Sequence, residues 1–337
     1  MLVMCYNCVM RKLYYATFEK GWDEVVKLLI KKQDKNSMVK KLYDDAVLFF
    51  ADEYFKFENN GFKQSYLVID NLQKDGVGAL NAEMKHLLEK KGLKIAFPKE
   101  VGSFRLSFLK ENDKVLIDAN LKKAVEITLR KATKKSISYV ANEAELVFLS
   151  KNDGTNLFMK KLFDSSKVSR FSTKYEMNLD EACLVNFLSE PAAAEVVLDP
   201  YAGTGVIAYS RALSYKKANV IANVDSKERG DTLKKYAKSL KDKSLSVLNY
   251  DFLAENFPIR FIDKIVTNLV DLTYERTFRA NEFYAEFIDK LFELKVKVAV
   301  LVVSKSHDIS RFVEGKFDIE RQVIASKYNV YKIKIRG

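Results

Sequence analysis

Cysteine, histidine, proline and glycine are all scarce in this 337-residue chain. Three cysteines cannot build the disulfide framework on which small secreted domains rely. With no convincing secretion signal they fit a reducing cytoplasm, where the protein is expected to reside. Cys5 and Cys8 form one C-x-x-C pair without a second, and the only histidines are His86 and His307. No metal is expected, because that set does not complete a zinc site. No Ser-His or Cys-His pairing for nucleophilic catalysis stands out; Cys183 reads as packing inside a helix. No apolar run approaches the length of a membrane span, so no membrane partner is expected. Leu2–Val9 is short and interrupted, unlike a signal peptide. Met1–Val9 is expected to be loosely attached, with Met10 an alternative start. Acidic residues are fewer than basic ones, and the net charge is +12. That favours a polyanionic partner such as nucleic acid, although lysine-rich, proline-poor composition also follows from genome bias.

What is present is a hydrophobic fraction of 48%, enough for two or three buried cores. One stretch says most. Val196-Val197-Leu198 is a short apolar, β-branched run, as in a buried parallel strand. It ends at Asp199, passes through Pro200-Tyr201-Ala202-Gly203-Thr204-Gly205, and enters a helix over Val206–Leu213. Strand, glycine turn and helix make a nucleotide-type cofactor site, with free N–H groups at the helix start. It is neither a G-x-G-x-x-G fingerprint nor a P-loop. An acid at the strand end repels a pyrophosphate. It suits a cofactor with a cationic amine and ribose hydroxyls, which S-adenosylmethionine has. D-P-Y-A-G-T-G resembles the first motif of class I S-adenosylmethionine-dependent methyltransferases.

Along the chain, Leu13–Phe18 reads as a strand, Gly21-Trp22 opens a helix, and Val39–Phe50 suggests a hairpin turning at Asp44-Asp45. The result is a β-α-β-β unit compatible with a ferredoxin-like half. Tyr66–Asp70 and Phe104–Phe108 read as strands, with a helix capped by Asn81 and ending at Gly92 between them. Asn120–Thr133 is a helix with a basic surface of Lys122, Lys123, Arg130, Lys131, Lys134 and Lys135. That surface reads either as a phosphate-backbone dock or as a solvated lysine face. Ile137–Val140 and Glu145–Leu149 read as strands, and Leu157–Leu162 as a strand or short helix.

Tyr14–Val26 looks like the N-terminal strand–Gly–helix of THUMP-containing RNA methyltransferases, with Trp22-Asp23 in place of Leu-Glu. Phe104–Phe163 is similar to the THUMP domain, and Arg170–Pro191 to the linker and helix before the catalytic domain of that family. The resemblance implies a chain divided at 1–57 (ferredoxin-like), 58–166 (THUMP-like, RNA-binding) and 167–337 (methyltransferase). The expected class is α/β: a C-terminal Rossmann-like methyltransferase sheet with a terminal antiparallel hairpin, plus an N-terminal α+β module. A monomer is expected.

In the C-terminal part, Asn178 caps a helix over Leu179–Leu188 with Glu181 in a capping-box position, and Pro191 ends it. Ala218–Val224 is a second strand, followed by Asp225. That acid lies about twenty residues past Gly203, the spacing of a ribose-binding acid. Thr232–Leu240 is a lysine-studded helix and Leu245–Tyr250 a third strand. The resemblance implies that Asp251 accepts from the adenine amine and that Phe252 flanks the ring; a capping role for Asp251 is the alternative. Ile262–Thr267 is a fourth strand and Val296–Ser304 a fifth. Phe317–Ala325 and Asn329–Ile335 form the terminal hairpin, which argues against a dehydrogenase sheet.

After the fourth strand stands Asn268. Family members that methylate exocyclic amines carry Asn or Asp, two prolines and an aromatic there, which hold and stack a flipped base. Asn268 is retained here, but Leu269-Val270-Asp271 replaces the rest, and Tyr274 is the nearest ring. The resemblance implies methylation of transfer or ribosomal RNA at the exocyclic amine of guanine, with Asn268 orienting the amine. A catalytically inactive RNA-binding relative is the alternative, and a small-molecule methyltransferase a third reading.

Overall fold

The computed structural model describes residues 11–58, 60–71, 80–89, 95, 97–111, 113–140, 143–167, 177–215, 217–240, 244–270 and 279–336. The Cys5–Cys8 pair, Met10, Gly92, Arg170, Asp271 and Tyr274 lie outside them.

The N-terminal half builds one sheet from β1 (Lys12–Thr17), β2 (Met38–Leu42), β3 (Ala46–Ala51), β4 (Gln64–Asn71), β5 (Ser103–Lys110), β6 (Asp113–Lys114), β7 (Ser136–Ile137), β8 (Ala144–Ser150) and β9 (Asn156–Asp164). The order is β2-β3-β1-β4-β9-β8-β5-β6, with β7 beside β5. Helices α1 (Asp23–Gln33), α2 (Leu80–Glu89) and α3 (Ala119–Thr133) belong to this half. α1 carries acids in its first turn and lysines in its last, matching the helix dipole, and buries Val25, Val26, Leu29 and Ile30. β5 alternates strictly, with Phe104, Leu106 and Phe108 inward against Val125 and Leu129 of α3.

Three expectations shift here. α2 begins at Leu80, so Asn81 is inside it rather than capping it. The strand expected over 137–140 shrinks to Ser136–Ile137, and Val140 is fully solvent-facing at 98% exposure, so no burial holds it in a sheet. Residues 157–162 settle as strand, because β9 lies between β4 and β8 and pairs with both.

The C-terminal half opens with α4 (Leu179–Leu188). Its sheet comprises β10 (Val196–Asp199), β11 (Asn219–Asn223), β12 (Leu245–Leu248), β13 (Lys264–Asn268), β14 (Val298–Ser304), β15 (Phe317–Ile324) and β16 (Tyr328–Ile335). The order is β12-β11-β10-β13-β14-β16-β15. The first five run parallel, and β16 enters antiparallel between β14 and β15. This is the Rossmann-like class I methyltransferase arrangement with its terminal antiparallel hairpin. Among the described residues the further helices are α5 (Val206–Ser214), α6 (Lys227–Ser239), α7 (Ala280–Glu293) and the short α8 (Ser310–Val313). β12 stops at Leu248, short of the expected Tyr250, because Asn249 and Tyr250 turn to bond with β11.

The two halves share a core. Trp22, Val25 and Val26 meet Ala182 and Val185 of α4 and Val323, Ala325 and Tyr328 of the hairpin. Gly21 marks the approach: its φ is +89°, and a Cβ there would sit 2.6 Å from the Ile324 carbonyl.

Candidate active site at the carboxyl ends of the parallel strands

Asp199 ends β10 with its side chain almost wholly buried, at 2% exposure. Burial pushes its carboxyl up to about 7, and the Thr267 hydroxyl and the Tyr201 N–H offset this only in part. One oxygen, Oδ1, has no hydrogen-bond partner among the described residues. A buried carboxylate without a cation is costly, and a ligand bearing one relieves that cost.

The chain then turns sharply. The Ala202 N–H donates to the Asn223 carbonyl at 2.9 Å and the Gly205 N–H to the Ala202 carbonyl at 2.6 Å. Gly205 caps α5 at φ +85°, where an added Cβ would lie 2.4 Å from Leu233 Cδ1. Only glycine suits both the dihedral and the space. Gly203 is also left-handed, at φ +53°. Tyr201 rests its ring on Phe252, Phe283 and Phe287, with centroids 5.7–6.0 Å away. Thr204 completes the loop before α5.

Asn223, on β11, ties this loop to the next. Its Nδ2 donates to the Pro200 carbonyl at 3.0 Å and to the Tyr250 carbonyl at 2.8 Å, while its Oδ1 accepts from the Tyr250 N–H at 3.0 Å. Sequence reasoning passed over this residue. Its signal was a polar side chain at the end of an apolar strand, two residues before the more familiar acid.

The remaining candidates take distinct positions at the same edge of the sheet. Asp225 is exposed and pairs with Arg229 at 2.8 Å along the first turn of α6. Asp251 accepts from the Leu253 N–H at 3.0 Å, a turn-forming contact. Phe252 is fully buried among Tyr201, Phe257 and Phe287, so it supports Tyr201 from beneath rather than facing solvent. Asn268 ends β13. The next N–H, of Leu269, donates to the Val302 carbonyl at 2.8 Å, and Leu269 is fully buried.

On α4 lie charged residues that the sequence reading treated as helix chemistry or did not mention. Glu181 accepts from the Asn178 N–H at 3.2 Å, as a capping residue does, but it is buried and also accepts from the Tyr328 hydroxyl. Asp180 beside it is buried too, with its carboxyl raised to about 6, chiefly by burial. Cys183 is buried with Sγ 3.2 Å from the Ser210 hydroxyl, and burial pushes its thiol up to about 11, far from a reactive thiolate.

The basic residues belong to the N-terminal half. Lys122 Nζ lies 4.4 Å from the Tyr139 ring centre, and Lys123 is its neighbour on α3. Arg130, Lys131, Lys134 and Lys135 cluster at the far end of α3, where with Ile127 and Ser136 they line a shallow groove of about 500 Å³. Among the described residues no group of three or more His, Cys, Asp or Glu is placed to hold a metal ion, and no helix is long and apolar enough to cross a membrane.

No protein-family model and no curated protein matches the sequence. Solved structures do match. TrmN from Thermus thermophilus is 15% identical, with a TM-score of 0.73 over 96% of this chain and 99% of its own. SMU.472, a candidate methyltransferase complexed with SAH, is 12% identical, with a TM-score of 0.67 over 97% and 99%. A predicted N6-adenine-specific DNA methylase from Listeria monocytogenes is 11% identical, with a TM-score of 0.65 over 98% of each chain. At such identities the likeness is one of fold, and it extends over both halves of the chain.

Proposed function

We propose that this protein is an S-adenosylmethionine-dependent methyltransferase acting on RNA. The observation that carries the reading is the buried Asp199 carboxylate, which faces no cation among the described residues and is followed by a two-glycine turn into α5. That donor set fits the cofactor: a spare carboxylate oxygen for its amine and a Cβ-free approach to the helix N-terminus. When bound, the cofactor supplies an electrophilic methyl group on a sulfonium.

Asp199 holds the cationic end, Pro200–Gly205 line the approach, Asp225 serves the ribose hydroxyls and Asp251 the adenine amine. Asn223 presets the two loops. Asn268 orients the target base, and catalysis rests on alignment of donor and acceptor. Lys122, Lys123, Arg130, Lys131, Lys134 and Lys135 contact the phosphate backbone. We assign RNA binding to residues 58–166, after a ferredoxin-like 1–57, and methyl transfer to 167–337. The resemblance assigns the target to the exocyclic amine of guanine in transfer or ribosomal RNA. The SAH bound in SMU.472 and the methylase description of the Listeria protein agree with the cofactor.

Calorimetric titration with S-adenosylmethionine tests the first step. Wild type binds, and Asp199→Ala and Gly203→Val do not; a wild type that fails to bind sinks the reading. For the RNA step, Lys131→Ala with Lys134→Ala weakens RNA binding and lowers the log–log salt slope by roughly two. An unchanged slope removes α3 from the interface. The substituted Leu269-Val270 pair favours one rival, an RNA-binding protein that keeps the cofactor without transferring its methyl group. Cofactor and RNA binding without methylation would establish it.

A further inference from the structure

The Asn268 carboxamide accepts from the Val270 N–H at 3.1 Å through Oδ1. The two ends of an amide side chain have nearly the same outline, and a backbone N–H decides which end it meets: the oxygen. The amide plane then carries Nδ2, with its two N–H donors, on the branch away from the turn. Nδ2 has no partner among the described residues, and Asn268 is only partly buried. The turn is anchored, because the intervening Leu269 is fully buried and its N–H is bonded to β14. A proline at 270 would have no N–H to give, and the oxygen would be free of this contact. Valine supplies the N–H here.

On the methyltransferase reading above, we propose that Asn268 meets its target as a donor. Its Nδ2 reads a carbonyl oxygen or ring-nitrogen acceptor of a nucleobase. A hydrogen bond given to a lone pair withdraws that pair from attack. The acceptor held by Asn268 is therefore a neighbour of the methylated atom and not the atom itself. Val270 thereby becomes a specificity residue through its backbone alone.

Asn268→Asp tests this. An aspartate still accepts from the Val270 N–H, so the turn survives, but it has no N–H to offer. With full-length protein, labelled S-adenosylmethionine and total RNA, Asn268→Asp lowers kcat about a hundredfold while cofactor affinity stays at the wild-type value. Asn268→Ser, which keeps a donor, retains more activity than Asn268→Asp. Transfer by Asn268→Asp at the wild-type rate, or a serine variant no better than the aspartate one, overturns the donor assignment and leaves the methyltransferase reading standing. A wild type that binds no cofactor or methylates no RNA overturns that reading and the assignment with it.

Discussion

Glu195 and Asp199 flank the two ends of one four-residue strand, both are buried, and their surroundings could hardly differ more. Glu195, just before β10, meets the fully buried Arg211 guanidinium and lies 2.7 Å from Lys264 Nζ. Arg211 is fixed further by the Ser189 hydroxyl at 2.8 Å and the Asn186 carbonyl at 3.1 Å. Asp199, at the other end, has a hydroxyl and a backbone N–H nearby and an oxygen left over. The amino end of the strand is closed by its own partners. The carboxyl end is left incomplete, in the place where open α/β sheets bind ligands. Burial of a carboxylate does not by itself mark a site; an unmatched buried oxygen at the carboxyl end of a parallel sheet does.

The closed end should break hardest. Arg211→Met strands Glu195 and is expected to cost about 3–5 kcal/mol in denaturant unfolding, whereas changing both partners to apolar residues costs far less. A single-variant cost under 1 kcal/mol would show that Lys264 alone satisfies Glu195. At the open end the sign reverses. The carboxyl of Asp199 titrates at about 7, above its ordinary value, so the folded state holds that proton more tightly than the unfolded state. Its contribution to stability is full below about pH 4 and is lost as pH rises through about 7. Asp199→Asn is therefore expected to be more stable than wild type at pH 8 by roughly 1–3 kcal/mol, with the gain shrinking toward pH 5. The same variant should lose tenfold or more in cofactor affinity, about 1.4 kcal/mol. Equal stability at pH 8 would mean that Asp199 finds a cation in solution. The smallest effect belongs to Asp225. Asp225→Asn removes one exposed i,i+4 pair with Arg229 and should change stability by about 0.3–0.5 kcal/mol, so any larger loss in cofactor titration isolates a ligand role.

The succession of strands along the C-terminal half, the glycine turn and the terminal hairpin were legible because β-branched runs, an acid and paired glycines are local signals, whereas the order of those strands in the sheet is not local. α7 was equally legible and was passed over. Phe283, Tyr284, Phe287, Ile288 and Leu291 recur at helical spacing, and all five are buried. The Arg211–Glu195 pair could not be read, since the two residues stand on different elements and only the packing of α5 against the sheet joins them. Glu181 was legible as a capping residue because the capping pattern is local, whereas its Tyr328 partner comes from the far end of the sequence. The Asn268–Val270 turn lay between these cases. An Asn followed two positions later by a residue with an N–H invites that contact, but most such pairs leave the side chain free to turn elsewhere.

The place of β16 between β14 and β15 has a consequence for how the molecule assembles. β15 comes earlier in sequence, yet among the described residues its only ladder partner is β16. Its hydrogen-bonding groups stay unpaired until the later strand has inserted. The turn joining the two strands also closes over the opposite half: the Ser326 N–H donates to the Lys20 carbonyl at 3.2 Å and its hydroxyl to Glu19 at 3.2 Å, across 307 positions of sequence. Trp22 and its neighbours are thus sealed by the element whose contacts are most distant along the chain, and loop-closure entropy makes such contacts slow. Refolding should end with this clasp, after both sheets have formed, and a protease added before that point would find the β15–β16 turn open.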